Sequence, residues 1–285
     1  MPLLQYMIRA LRNSILPRGW APALMMLGKF MPSLRKYRAK LSNGDFLFVD
    51  LTQSMCFGYF FYGELPHEPA TQQILKRILA EGSVFIDVGA NIGYFTRMAS
   101  HLVGHSGMVY AFEPLPEAYT LLMDNTQDLS NVKALPFAAA DSSGETELYA
   151  HRSGDRSSLL AVDPMRVVKV KKVTLDSLLN EVSRVDLVKI DVEGSETMVL
   201  KGAKQLFRKC HPIVLFEYLD SPEARSLAQK DDFETFFSSI PEADYTLFKV
   251  NNISPETRLL LRHDRAGGYL LAVPSDKNGI LRLTW

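Results

Sequence analysis

Only two cysteines, Cys56 and Cys210, occur in 285 residues, too few for a disulfide framework and placed in no metal-ligand spacing. They read as buried thiols of a reducing compartment. No run approaches the ~20 apolar residues that a membrane-spanning helix needs, for the stretch from Trp20 to Leu27 is short and bracketed by Arg18 and Lys29. Arg9 and Arg12 interrupt any signal-peptide core. A soluble, cytoplasmic protein is therefore the expectation. Acidic residues are missing altogether from residues 1 to 40, which hold eight Lys or Arg. That leaves 24 basic against 32 acidic residues in the rest, a formal charge of −8. A body of that sign offers no basic stripe to phosphates, so nucleic acid is not the expected partner. Internal repeats and low-complexity tracts are absent as well.

What is present is ordinary globular material, 47% hydrophobic and 22% charged, arranged around the stretch from Val84 to Thr96. Val84, Phe85, Ile86 and Val88 form an apolar run suited to a strand buried on both faces. Gly89, Asn91 and Gly93 then break it, and Phe95, Met98, Ala99 and Leu102 repeat at helical spacing, with Asn91 as the expected N-cap. This is a βα step of a doubly wound sheet, whose ligands sit beyond the carboxyl ends of the strands. A pyrophosphate calls for Gly-x-Gly-x-x-Gly, whereas this turn is Gly-x-x-x-Gly with Asp87 two residues upstream. An acidic turn at a helix N-terminus better suits a zwitterion, its ammonium on the carboxylate and its carboxylate on the helix end. The methionine part of S-adenosylmethionine is such a group.

Residues 1 to 36 form a basic helical extension, with Leu4, Ile8, Leu11 and Ile15 on one face. Three readings of it stay open: contact with an anionic membrane surface, organelle targeting, or packing on the main domain or a second copy in a homo-oligomer. The main domain is expected over 37–285 and begins with a hairpin over 37–50, where Asn43-Gly44 separates two strand-like runs. An aromatic segment from Phe57 to Tyr62 and a helix from Pro69 to Ala80 lead into Val84. Met108 to Phe112 is the second strand of the main sheet and ends at Glu113, twenty residues beyond Gly93, where a carboxylate would meet a ribose diol. Val132 to Ala138 is the third. At its end, Ala138 and Asp141 would flank an adenine, or Asp141-Ser142-Ser143-Gly144 is simply a turn. The region from about 145 to 173 departs from βα alternation, as two exposed strands around the polar loop from His151 to Asp163, and is expected to form a lid over the sheet edge. Val185 to Val192 is the fourth strand, and its exit gathers Lys189, Asp191, Glu193 and Glu196, charges that are costly to bury unless paired. Val199, Gly202, Ala203 and Leu206 mark a helix, Pro212 to Tyr218 a fifth strand ending at Glu217, and Asp232 to Ile240 another helix. Tyr245 to Val250 and Gly268 to Val273 complete a seven-stranded sheet as an antiparallel pair.

Three segments together resemble the ordered signature of FkbM-type methyltransferases: Phe85-Ile86-Asp87-Val88-Gly89-Ala90-Asn91-Ile92-Gly93-Tyr94, Phe112-Glu113-Pro114, and Lys189-Ile190-Asp191-Val192-Glu193-Gly194-Ser195-Glu196. The resemblance runs from roughly Leu41 to Pro274. It implies a Rossmann-like, class I methyltransferase fold and S-adenosylmethionine-dependent O-methylation. Carried over by position, it puts Asp87, Gly89, Asn91 and Gly93 at the methionine moiety, Glu113 at the ribose, Ala138 and Asp141 near the adenine, and Asp191 beside the transferable methyl group. One departure is His67-Glu68-Pro69, where such proteins usually read Tyr-Glu-Pro.

Transfer to a neutral alcohol requires in-line alignment and removal of a proton. Asp191 is the first choice of base, then Glu193 and Glu217, all at the ends of adjacent strands. Alternatively these carboxylates hold Mg²⁺, or they only satisfy lysines and backbone groups. His67 is a weaker candidate base, and His211, at the opposite edge, is set aside. Three functions of different class follow: methylation of a hydroxyl on a small molecule, sugar or glycan; methylation of nucleic acid; or a non-catalytic scaffold that binds the cofactor. The acidic body counts against the second.

Overall fold

The computed structural model describes residues 30–53, 56–65, 68–150, 157–158, 166–218, 230–250, 257–259 and 268–277. Most of the basic extension, His67 and nearly all of the loop from His151 to Asp163 lie outside these residues. The hairpin forms where Asn43-Gly44 predicts it: β1 (Tyr37–Lys40) pairs antiparallel with β2 (Phe46–Val49), and Gly44 supplies the turn at φ +91°. The aromatic segment is a short helix, α1 (Cys56–Phe61), whose Phe60 packs edge-on against Tyr37. Phe57, Tyr59 and Phe60 are core, whereas Tyr62 is exposed.

The chain then alternates as α2 (Pro69–Ile78), β3 (Val84–Val88), α3 (Tyr94–Val103), β4 (Met108–Phe112), α4 (Pro116–Thr126) and β5 (Val132–Leu135). An insertion follows, with β6 (Ala138–Ala139), β7 (Gly144–Ala150), β8 (Ser157–Ser158) and β9 (Arg166–Val173), and after it α5 (Leu175–Leu178). The second half runs β10 (Leu187–Ile190), α6 (Glu196–Lys201), α7 (Lys204–Cys210), β11 (Ile213–Tyr218), α8 (Lys230–Ser238), β12 (Thr246–Val250), β13 (Thr257–Leu259) and β14 (Gly268–Val273).

The main sheet has the order β13-β12-β14-β11-β10-β3-β4-β5. From β5 to β11 the neighbours are parallel, and β14 is antiparallel to both β11 and β12. Because β3 has β4 on one side and β10 on the other, the winding reverses there and opens a crevice at the carboxyl ends of the strands. This is the expected doubly wound Rossmann-like sheet of seven strands with an antiparallel last strand, and the three-residue β13 adds an unforeseen edge. Alternate residues feed two cores, as a period of two requires. Phe85, Leu187, Leu215 and Leu271 face the side of α2, α3 and the hairpin, while Ile86, Val188, Val214 and Phe216 face that of α6, α7 and α8.

Three expectations need correction. The third strand does not continue to Ala138: Pro136 has no N–H for the ladder, and beyond it Ala138 and Ala139 pair with Lys172 and Val173 of the inserted sheet. The single helix after β10 is two, divided at Gly202 and Ala203, where a Cβ on Gly202 would stand 1.9 Å from the Ala140 carbonyl oxygen. Asn91 is not the N-cap of α3. That position is Gly93, at φ +90°, and Asn91 itself lies at φ +51°.

Candidate active site

At the switch point a cavity of about 330 Å³ opens between the turn after β3, the ends of β4, β10 and β11, the start of the inserted sheet and Tyr269 of β14. The turn is built by close backbone approach. A Cβ on Gly89 would lie 1.9 Å from the Asp191 carbonyl oxygen, so a larger residue there cannot coexist with the exit of β10. The Gly89 and Ala90 N–H groups both donate to the Phe112 carbonyl at 3.0 Å, which fixes the turn to the end of β4. Gly93 serves packing instead, since its Cβ would press on Leu122 Cδ1 at 2.8 Å.

Glu113 is locked in place by two backbone donors, Asn91 N–H to Oε2 at 2.9 Å and Leu115 N–H to Oε1 at 2.8 Å. Burial outweighs these bonds and pushes its pKa up to about 7. Gly89, Asn91, Glu113 and Ala138 line the cavity, whereas Asp87, Gly93 and Asp141 do not. Asp87 lies within β3, fully buried, and its Oδ2 accepts the Thr96 hydroxyl at 2.7 Å. Its side chain points toward α3, and its Oδ1, 3.9 Å from the Lys189 ammonium, has no hydrogen-bond partner among the described residues. Asp141 is exposed, 2.9 Å from the Ser142 hydroxyl and 3.9 Å from Lys172, as the turn reading has it. Beside Ala138 the wall is apolar, with Phe137 and with Leu148 of the insertion, so the inserted sheet does border the cavity.

The opposite wall is charged. Lys189, in an otherwise apolar strand, is 1% exposed, and its ammonium stands 2.8 Å from Asp191 Oδ2 and 3.9 Å from Asp87 Oδ1, with the Phe95 ring centroid at 5.2 Å. Burial works against its charge, but Asp191, Asp87 and Glu68 more than offset that and raise its pKa. The Tyr269 hydroxyl lies between two carboxylates, 3.1 Å from Glu68 Oε2 and 3.3 Å from Asp191 Oδ2. Burial, then Asp191 and Glu68, raise its pKa, so it stays a phenol. Burial, then Asp191, push Glu68 up to about 7, and burial with Asp191 and Glu193 pushes Glu217 up to about 9.

Asp191, Glu193 and Glu217 thus come together as the sequence suggested, with carboxylate oxygens within 4.8 Å of one another. Glu193 reaches this place from a left-handed backbone, φ +54°. Mg²⁺, the alternative occupant, would have to share Asp191 with the Lys189 ammonium, and a fixed positive charge at 2.8 Å opposes a second cation. Glu196 has the bland role, accepting the Gly194 and Val192 N–H groups at 3.0 and 3.3 Å and holding the turn. His67 is outside the described residues, and His211 caps α7 beside Asp276 at 3.4 Å, away from the cavity lining.

Glu68 and Tyr269 are site residues that sequence reasoning missed. A glutamate before a helix-opening proline marked the first only weakly. Nothing local marks Tyr269, which arrives by the antiparallel register that sets it opposite Glu217.

A family model described as Methyltransferase FkbM domain matches residues 87–247. The hexuronic acid methyltransferase AglP of Haloferax volcanii is 28% identical over 155 residues, 50% of this chain and 61% of that protein. Methyltransferase 1 of Beauveria bassiana is 30% identical over 148 residues, 43% and 59% of the respective chains. The matches therefore span about three fifths of these relatives. Among solved structures, the methyltransferase FkbM from Methylobacillus flagellatus overlaps with a TM-score of 0.46 at 15% identity, covering 76% of this chain and 52% of that one. The strand order, rather than that overlap, carries the fold assignment.

Proposed function

The chain belongs to the FkbM methyltransferase domain family and is an S-adenosylmethionine-dependent methyltransferase, and from that premise we propose that it methylates a hydroxyl on a sugar, glycan or other small molecule. One observation carries the choice of acceptor: Asp191, Glu193, Glu217 and Glu68 line the same cavity with Lys189 as the cation among its lining residues. A neutral hydroxyl needs a carboxylate to take its proton, and this wall supplies one in Asp191. The likeness to a hexuronic acid methyltransferase supports a sugar.

The residues present fit the cofactor. The Gly89 to Asn91 turn lines the cavity, Glu113 faces it with both oxygens positioned, and the wall at Phe137 and Ala138 is apolar. Gly89 and Asn91 would hold the methionine end, Glu113 the ribose diol and Ala138 the adenine. The bound cofactor supplies an electrophilic methyl group. Asp191 orients the acceptor hydroxyl and takes its proton, and Lys189 holds that carboxylate in place at 2.8 Å. Glu193 and Glu217 bound the acceptor side. With Lys189 already on Asp191, proton removal proceeds without a divalent cation, and treatment with a chelator should leave the rate of methyl transfer unchanged.

The test is transfer of labelled methyl from S-adenosylmethionine to a panel of sugars and uronic acids and to cell extract, followed by mild alkali. A methyl ether keeps its label and a methyl ester loses it. Label released by alkali, or none transferred, would overturn the hydroxyl reading.

A further inference from the structure

The Tyr269 hydroxyl has one proton and two carboxylate neighbours, Glu68 Oε2 at 3.1 Å and Asp191 Oδ2 at 3.3 Å. It can donate to only one of them at a time. We infer that Glu68 and Tyr269 are positioning residues for Asp191, with a neutral Glu68 turning the Tyr269 hydroxyl toward Asp191 Oδ2 and an ionised Glu68 drawing it away. The inference rests on Asp191 acting as the base.

Three observations carry it. Asp191 Oδ2 already accepts Lys189 at 2.8 Å, and with Tyr269 as second donor that oxygen is fully engaged. Among the described residues Oδ1 takes no hydrogen bond, so it is the atom left for an acceptor hydroxyl. A carboxylate held by two donors on one oxygen cannot rotate freely, and this is how fixed geometry is obtained at a reacting atom. Second, the two carboxylates differ as acceptors. Asp191 is neutralised by an ammonium at 2.8 Å, whereas Lys189 acts on the buried Glu68 only beyond ion-pair distance, and the hydroxyls of Tyr269 and Thr71 stand beside it. An ionised Glu68 would therefore win the proton of Tyr269, and a neutral Glu68 can instead donate its own to the phenol oxygen. Third, all four side chains line the same cavity, although they come from the start of α2, the end of β10 and β14.

The groups around Glu68 set where this change falls. Tyr59 from α1, Tyr94 from α3, Lys189 and Asp191 from β10 and its exit, Glu217 from β11 and Tyr269 from β14 all act on it or are acted on by it. Burial dominates, so Glu68 changes state near neutral pH. Raising the pH through that region ionises Glu68, removes the second donor from Asp191 and lowers turnover.

The experiment compares wild type, Tyr269→Phe and Glu68→Gln. Each is assayed for S-adenosylmethionine affinity by calorimetry and for kcat and KM across pH with the acceptor found above. Tyr269→Phe should keep cofactor affinity and lose about tenfold in kcat, the loss expected for one hydrogen bond to a charged group. Glu68→Gln, whose amide donates permanently to the phenol oxygen, should abolish the alkaline fall in kcat near neutrality. A merely structural Glu68 would leave that limb in place. Carboxyl ¹³C NMR of the complex with S-adenosylhomocysteine needs no acceptor. The Glu68 resonance, identified by its loss in Glu68→Gln, should titrate near neutral pH and move to higher pH in Tyr269→Phe, where the ionised form has lost a donor. An unchanged kcat in Tyr269→Phe, an alkaline limb retained in Glu68→Gln, or a Glu68 ionised throughout would each overturn the inference. If wild type transfers label to no acceptor, the hydroxyl reading falls, and the NMR titration still decides whether Tyr269 couples the two carboxylates.

Discussion

Buried charge in this protein is either paired or suppressed, and the two cases respond differently to mutation. Glu196 is suppressed: burial pushes it up to about 7 although the Gly194 and Val192 N–H groups favour its ionised form. An unfolded glutamate titrates near ~4.3, so between that pH and about 7 the folded chain retains a proton that the unfolded chain releases. Its contribution to stability is therefore greatest below the unfolded value and is lost as the pH rises through the folded one. Glu196→Gln keeps the accepting oxygen and removes the titration. It should match wild type at about pH 4 and exceed it by roughly 1–3 kcal/mol at about pH 8 in urea denaturation, and an equal difference at both pH values would refute this. Lys189 is the paired case. Lys189→Met strands Asp191 and Asp87 in the interior and should cost ~3–5 kcal/mol. Adding Asp87→Asn, which removes one of the two stranded charges, should restore part of that in the same measurement.

The hairpin, α3 and α4 brace the turn after β3 from behind. Asn125 of α4 accepts the Phe48 N–H at 2.6 Å and donates to the Phe48 and Ile92 carbonyls at 2.9 and 2.7 Å, so one side chain joins β2 to the turn. Arg97 of α3 adds a bidentate pair to Asp45 at 2.9 Å and reaches Asp128 at 2.8 Å. Asn125→Leu leaves the Phe48 backbone and the Ile92 carbonyl without this partner, and ~2–4 kcal/mol of stability should go with it. Cofactor affinity should fall in calorimetry even under conditions where the variant is fully folded; an unaltered affinity would show that the brace does not reach the site. The strands of this region were legible because runs such as Phe85-Ile86 and Val109 to Phe112 are apolar on both faces. The brace was not, since Asn125 and Arg97 look like ordinary helix residues until the hairpin is laid against them.

For the whole molecule, two apolar cores enclose one sheet, and the cavity lies at the point where the winding reverses. A ligand bound there touches both halves of the chain and should stabilise them together. At about a hundredfold excess over its dissociation constant, S-adenosylmethionine should contribute ~2.7 kcal/mol and raise the melting temperature by roughly 5–10 °C. NAD at the same concentration should leave it unchanged, and a shift of equal size with NAD would contradict the cofactor assignment.

The glycine turn, the carboxylate at the end of β4 and the acidic exit of β10 are local in sequence, and so is the alternation that makes the sheet doubly wound. Periodicity and residue type therefore determined the fold class and the gathering of Asp191, Glu193 and Glu217. Direction and contact were decided only in three dimensions. Asp87 turns toward α3 because it lies within the strand rather than beyond its end, and Asp141 stays outside because the chain has left the main sheet at Pro136. Of the partners of Asp191, Lys189 lies two residues away, whereas Tyr269 comes from β14, and nothing in the linear order relates it to residue 191. Parallel pairing of β10 with β3 sets Lys189 beside Asp87, and antiparallel pairing of β11 with β14 sets Tyr269 beside Glu217. Such registers are set by the packing of the whole sheet, and no short stretch of sequence contains them.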